Sequence, residues 1–434
     1  MVSGDSSAPP VKPHSSEPMN INHPLNSWGS AVSRALAWLL GFSAFLPQAI
    51  SPLIWGLMLL TWVLVPDERR FRRSLWPRSP WPLLLLFLGV WPFVLAAFGA
   101  HTPDTPVRLF HMARVVLLLL TGLLWTAQEW RRATQGLLAG AGFTAAVALL
   151  HAVWPLPDWR IWHNVLVVDG TQSSRLWILL AAVAGIAASR AIDAWTSHRP
   201  KALAWALAGV GAALLVGLLS ISRNAHVLVL AIPVVIMVAA HRSIRSLLLA
   251  LWAAAVLAGL AWWLLEPVQT RMNLAWAQWW QVIQTRDCAS SVGVRWAMSQ
   301  MALEQMLSHP WLGTGVGSFV PLWQQASQAF CPDYAIVRQP HNDYMLFAME
   351  TGVPGLLGLL ALLAQCVRSA WQHPDPAIGR IGLVWTTVLM ITALFNSPLR
   401  DSGLGFVMLV LMVASCSPRP EDPRGPVSEG GPSR

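Results

Sequence analysis

The stretch RQPHNDYMLFAMETGVPG, residues 338–355, sets Arg, His, Asn and Asp directly ahead of an apolar run of helix length and then interrupts that run with Gly-Val-Pro-Gly. The apolar residues continue to about residue 367, enough for a helix to cross a hydrocarbon core about 30 Å thick. A helix satisfies its own backbone hydrogen bonds in lipid, so the polar cluster falls at the mouth of a membrane span. Runs of the same kind recur on both sides of it.

The chain has 434 residues, 55% hydrophobic and only 11% charged, against about 25% charged in a soluble domain. Its net charge of +9 comes from short basic clusters between apolar runs, a pattern of membrane topology and not of nucleic-acid binding. Residues 1–30 are rich in Pro, Ser and Asn without an apolar core or a small-residue cleavage site, which predicts a disordered cytoplasmic tail and not a signal peptide. Residues 418–434 have the same character.

Twelve runs read as spans, near 32–49, 51–66, 80–100, 107–126, 134–154, 175–193, 201–220, 223–240, 244–266, 342–367, 378–397 and 401–417. The predicted fold is therefore an all-α polytopic integral membrane helix bundle, with spans 1–9 in residues 31–266 and spans 10–12 in residues 341–417. With the amino terminus inside, DERRFRRSLWPR, EWRR, SRAIDAWTSHRPK, HRSIR and the stretch from Arg368 to Arg380 all fall on the cytoplasmic side. Residues 267–340 then form one large outer loop. Within it, Val294, Met298, Met301, Leu303, Met306 and Leu307 space an amphipathic helix, and Trp276, Trp279 and Trp280 stand where interfacial aromatics collect. Cys288 and Cys331 share that loop; an oxidising compartment permits a bond between them, and two free thiols are the alternative.

At about 100° per residue, Gly352 returns to within about 20° of His341 and Gly355 stays on that stripe. One helix face is thus predicted to carry His341 at its mouth and small residues deeper, with Pro354 freeing the carbonyl of Glu350. An interfacial histidine above a packing kink is the plain reading of these residues. Arg223 stands at the outer end of span eight, where the charge bias is against arginine; it either snorkels to lipid headgroups or offers a guanidinium fork that suits a diphosphate. Arg175 and Arg400 also face outward and could pair with Asp169 and Asp401. There is no Asp-x-Asp pair and no zinc spacing of His and Cys, so neither a metal nor another cofactor is expected and arginines would neutralise any diphosphate.

His341-Asn342, nine residues, then Gly352-x-x-Gly355 resembles the signature of the O-antigen ligase and polymerase superfamily. HPWLGTGVGSF (309–319) is similar to the family's His-Pro and Gly-x-Gly turn, and SISRNAHVLVLAI (220–232) to its Ser-x-Ser-Arg helix start. The resemblance implies a GT-C-like bundle in the bacterial inner membrane with its active site at the periplasmic face. It implies a metal-independent, inverting glycosyltransferase that moves a glycan from undecaprenyl pyrophosphate to a sugar hydroxyl of lipid A–core. His341, Arg223 and Arg295 would be catalytic; Arg175, Arg338, Asn342 and Arg400 would bind substrate. Membrane lipids and the two lipid-borne glycans are the expected partners, with no nucleic acid. An O-antigen polymerase or a protein O-oligosaccharyltransferase is the alternative within the class. A twelve-span transporter or flippase is the alternative outside it, which the lack of a half-to-half repeat disfavours.

Overall fold

A computed structural model of the chain describes residues 24–65, 80–99, 101–154, 173–220, 222–285, 288, 290–337, 339–400 and 404–417. Among these, every long regular element is an α-helix: α1 Pro24–Ser43, α2 Ile50–Leu64, α3 Trp81–Phe98, α4 Thr105–Leu124, α5 Ala127–Val153, α6 Ser173–Trp195, α7 Arg199–Leu219 and α8 Arg223–His241. There follow α9 Ile244–Leu264, α10 Glu266–Thr285, α11 Ser291–Ser308, α12 Phe319–Phe330, a 3-10 turn Pro332–Tyr334, α13 Asp343–Trp371, α14 Pro376–Phe395 and α15 Leu404–Cys416. The fold is an all-α polytopic membrane bundle.

Nine described helices, α3 to α9 with α13 and α14, are long and apolar enough to cross a membrane, and α2 and α15 are shorter apolar helices. With α1, which begins eight residues ahead of its run and takes residues 24–30 of the expected tail into a helix, they occupy the places of the twelve apolar runs. The fifth begins earlier than its apolar run, at Ala127, because Thr126 and Glu129 form a capping box that draws EWRR into the first turn.

Burial orders these helices from centre to rim. In α6, α13 and α14, 67% of the span is buried, and every residue of α15 is buried. At the rim, α9 has only 6% of its span buried and presents Leu251, Val256, Leu257 and Leu260 outward, as a helix solvated by lipid does. Because α8 and α9 are joined at Arg242 and Ser243, they run antiparallel, and Arg223 and Leu264 lie at one end of the bundle. At the opposite end an ion pair joins Arg380 to Asp193, and Arg242 donates to the Trp371 carbonyl at 2.8 Å.

Helices α11 and α12 build a second, smaller core against the start of α13. Val294, Met298, Met301, Phe319 and Trp323 pack with Leu346 and Met349, and Cys288 and Cys331 are joined in a disulfide. The stripe of α11 is shorter than its periodicity suggested. Its buried residues end at Ala302, and Leu307 is exposed, because the last turn runs past the cluster it packs on.

Candidate active site at the mouth of α13

His341 does not begin the helix it precedes. Its φ is 53°, in the left-handed region, and Asn342 caps α13 by accepting from the Met345 N–H at 3.1 Å. The Asp343 carboxylate, fully buried, accepts the Leu399 N–H at 3.0 Å and ties this entry to the segment between α14 and α15. The expected stripe linking His341 with Gly352 and Gly355 is therefore corrected: no continuous helix connects them, since His341 lies outside α13 and Gly352 breaks it.

Gly352 has φ 70° and ψ −176°, a conformation for which side-chain-bearing residues are poorly suited. The break lies two residues ahead of Pro354, and the turn 309–318 fills it. A Cβ on Gly352 would meet the Trp311 carbonyl oxygen at 2.6 Å, and one on Gly313, at φ 68°, would meet Glu350 and Met349 backbone atoms at 2.6 Å. Backbone groups without helical partners are taken up across this contact. Val353 N–H donates to Pro310 at 2.7 Å, Thr314 N–H to Met349 at 2.8 Å, and the Trp91 indole to Thr351 at 3.0 Å. The same turn docks on the start of α4, where Thr105 donates to the Val316 carbonyl at 2.7 Å and Thr102 to that of Gly317 at 2.9 Å. Two sequence motifs some thirty residues apart thus form one interlocked unit under His341.

Three arginines share the neighbourhood above it. Arg223, the first residue of α8, donates to Gln278 of α10 at 3.2 Å and is acted on electrostatically by Arg295 of α11 and Arg271 of α10. Neither Arg271 nor Arg295 has a hydrogen-bonding or ion-pairing partner among the described residues. Burial holds the Arg295 guanidinium below its ordinary range. Burial first, and then the positive charge of Arg295, lower the His341 pKa to about 4, while a hydrogen bond with Asn396 works the other way. The imidazole is accordingly neutral at pH 7, below the near-neutral poise expected from its type. Its Nδ1 is buried and has no hydrogen-bond partner among the described residues.

His341, Arg223 and Arg295 come together as expected. Arg175, at the start of α6, binds the Leu46 carbonyl at 3.0 Å. Arg400 belongs to a different charged group: its pKa is lowered by burial and then Arg108, against the pull of Glu350, Asp343 and Asp104. Arg338, Asp169 and Asp401 lie outside the described residues. Sequence reasoning missed Arg271 and Gln278, which stand on a helix read as loop, and Asn396, which meets His341 only through folding. A signal for the first was present: Arg271 is a cation close after span nine, on the side where the charge bias disfavours cations.

Residues 208–360 match the family model described as O-antigen ligase. The matched stretch holds Arg223, Arg295, His341 and the interlocked turn and kink. No curated protein matches the chain. This segment, about a third of the chain, is similar to the O-antigen ligase family.

Proposed function

We propose that the protein is an O-antigen ligase: a glycosyltransferase that takes a glycan from undecaprenyl pyrophosphate and joins it to a sugar hydroxyl of lipid A–core at the periplasmic face of the inner membrane. The observation that carries this reading is one neutral histidine beside a group of arginines with no carboxylate partner among the described residues. Uncompensated guanidinium groups at a membrane surface suit an anion of charge −2 or more, and their planar forks match diphosphate oxygens.

In this mechanism the acceptor hydroxyl oxygen attacks the anomeric carbon from the face opposite the diphosphate. A new C–O bond forms, the bond from carbon to diphosphate oxygen breaks, and the configuration inverts. The hydroxyl proton passes to His341 Nδ1, the ring nitrogen without a partner. Arg223, Arg271 and Arg295 take up the charge that develops on the leaving diphosphate. A diphosphate bound there offsets the field of Arg295 and raises the His341 pKa from about 4, so the base strengthens when the donor is loaded.

The test is transfer by purified protein from lipid-pyrophosphate glycan to lipid A–core without an energy source. His341→Ala should bind donor normally and lose transfer by about 10²–10⁴-fold. Lengthening of the lipid-linked glycan in place of its transfer to lipid A–core would indicate a polymerase. Movement of the donor across the bilayer with no new glycosidic bond would indicate a flippase.

A further inference from the structure

The helix that brings Arg271 and Gln278 to the site has a second face that is exposed among the described residues. At about 100° per residue, Trp276, Trp280 and Ile283 fall within an arc of about 60°, and Arg271 and Gln278 lie roughly 150° away. The inward side also holds Val268 and Val282, both buried, whereas Trp276 is 62% exposed and Trp279, Trp280 and Ile283 are exposed as well. Trp276 and Trp280 pack edge to face at 5.7 Å, and among the described residues no other element covers the stripe.

The depth of this helix follows from its two ends. Glu266 comes directly after α9, at the end of the bundle where Arg223 begins α8. Gln278 is about 18 Å farther along α10 at 1.5 Å per residue, yet it accepts a hydrogen bond from Arg223. A helix rising along the membrane normal would carry Gln278 out of reach of that side chain. Thus α10 lies across the end of the bundle, level with the ends of α8 and α9.

We propose that α10 is a surface helix of the leaflet on the site side, and that its Trp276–Trp280–Ile283 stripe binds lipid at the boundary between headgroups and acyl chains. The occupant follows from continuity. The stripe extends the exposed surface of Trp262, Trp263 and Leu264, which closes the lipid-facing side of α9. Indoles favour that boundary because an apolar ring and a polar N–H are both satisfied there. Anchoring this face fixes the depth at which the opposite face presents Arg271 and Gln278, so the anion is met at headgroup level. Only the identity of that anion rests on the proposed function; the placement of the helix does not.

The experiment uses the full chain in phospholipid nanodiscs, with buried Cys366 and Cys416 replaced by alanine and the disulfide kept. A spin label is placed singly by Trp276→Cys, Trp280→Cys or Ile283→Cys, leaving the rest of the stripe to hold the helix. Accessibility to oxygen and to a water-soluble nickel chelate is compared with labels at Leu257→Cys, on the lipid side of α9, and Ser308→Cys, exposed at the end of α11. The expected ratio of oxygen to nickel accessibility lies severalfold above that at 308 and below that at 257, which places the labels about 5–10 Å into the interface. Ratios equal to that at 308 would put the stripe in water and overturn the proposal. Exclusion of both reagents would show a second copy covering it and would overturn it equally. Neither readout needs transfer activity, so a failed transfer assay leaves the result intact.

Discussion

Arg108 of α4 donates through Nε to Oε2 of Glu350 in α13 at 2.5 Å, and both side chains are buried. Glu350 lies immediately ahead of the break at Gly352, so the pair pins the broken helix to the helix on which the 309–318 turn also docks. The guanidinium further lies 5.8 Å from the Phe347 ring centroid, one turn of α13 nearer His341.

Breaking this pair from one side strands a buried charge. Glu350→Gln should therefore cost about 3–5 kcal/mol of stability, as removal of one partner from a buried pair does. The double variant Arg108→Gln with Glu350→Gln leaves no charge behind and should lose less than the two single losses added. Denaturant unfolding in detergent across the four proteins measures the coupling, and strict additivity would remove the pair's role in holding the kink.

The two motif glycines should respond unequally. Gly352→Ala forces a Cβ onto the Trp311 carbonyl at a left-handed φ, a backbone cost of about 1–3 kcal/mol before the clash is counted. Gly355→Ala disturbs only its own helix: the new Cβ meets Thr351, whose Cβ at 2.5 Å is fixed to the backbone, so that turn must shift while the contact with residues 309–318 is left alone. Melting temperature should fall in both, and transfer more sharply in the first. Equal losses would show that the contact with the turn is not what requires glycine at 352.

The pH dependence follows from His341 with its sign fixed. The neutral ring is the active form, so activity falls as pH drops through its pKa, about 4 in the free protein. Donor anion beside Arg295 raises that pKa, so the acid limb of kcat should lie at higher pH than that of kcat/KM. Arg295→Gln removes a lowering influence and should move the kcat/KM limb upward. For stability, the unfolded chain holds the proton up to the ordinary 6.5 and the folded chain only to about 4. Burial of the neutral ring therefore makes the protein less stable as pH falls from 6.5 towards 4, and His341→Gln should flatten that slope.

The arginines should separate by geometry and by charge. Arg223→Lys keeps the charge but loses both the fork and its bond to Gln278, so donor affinity should remain impaired. Arg271→Ala should weaken binding of inorganic pyrophosphate and reduce its dependence on salt, with the transfer rate of bound donor less affected. Titration calorimetry at two ionic strengths tests both, and wild-type affinity in Arg271→Ala would remove that residue from the site.

The disulfide clips 43 residues of chain between Cys288 and Cys331. A loop of that size is worth roughly 3–4 kcal/mol in the chain-entropy description. Replacing both cysteines by serine should loosen α11 and α12 while leaving the spans in place. Hydrogen exchange resolves the two regions, and unchanged protection in α11 would contradict the expectation.

The sequence by itself determined the class of fold, because lipid enforces it. Twelve apolar runs have one way to satisfy their backbone groups, and each became a helix, though the first and the fifth begin about two turns ahead of their runs. The family resemblance, carried by three motifs in order along the chain, pointed to Arg223, Arg295 and His341 as one group, and the fold brings them near one another. The helix period failed at 341–355. Hydropathy does not register that Gly352 can take a positive φ, nor that Pro310 and Thr314 wait elsewhere in the chain to bind the groups such a break releases. Only the tertiary structure decided that the two glycine motifs are one joint, that Arg108 closes it, and that α10 carries a third arginine over the site. Each of those is a contact between residues far apart in sequence, and its free energy arises from burial that exists only once the bundle has closed.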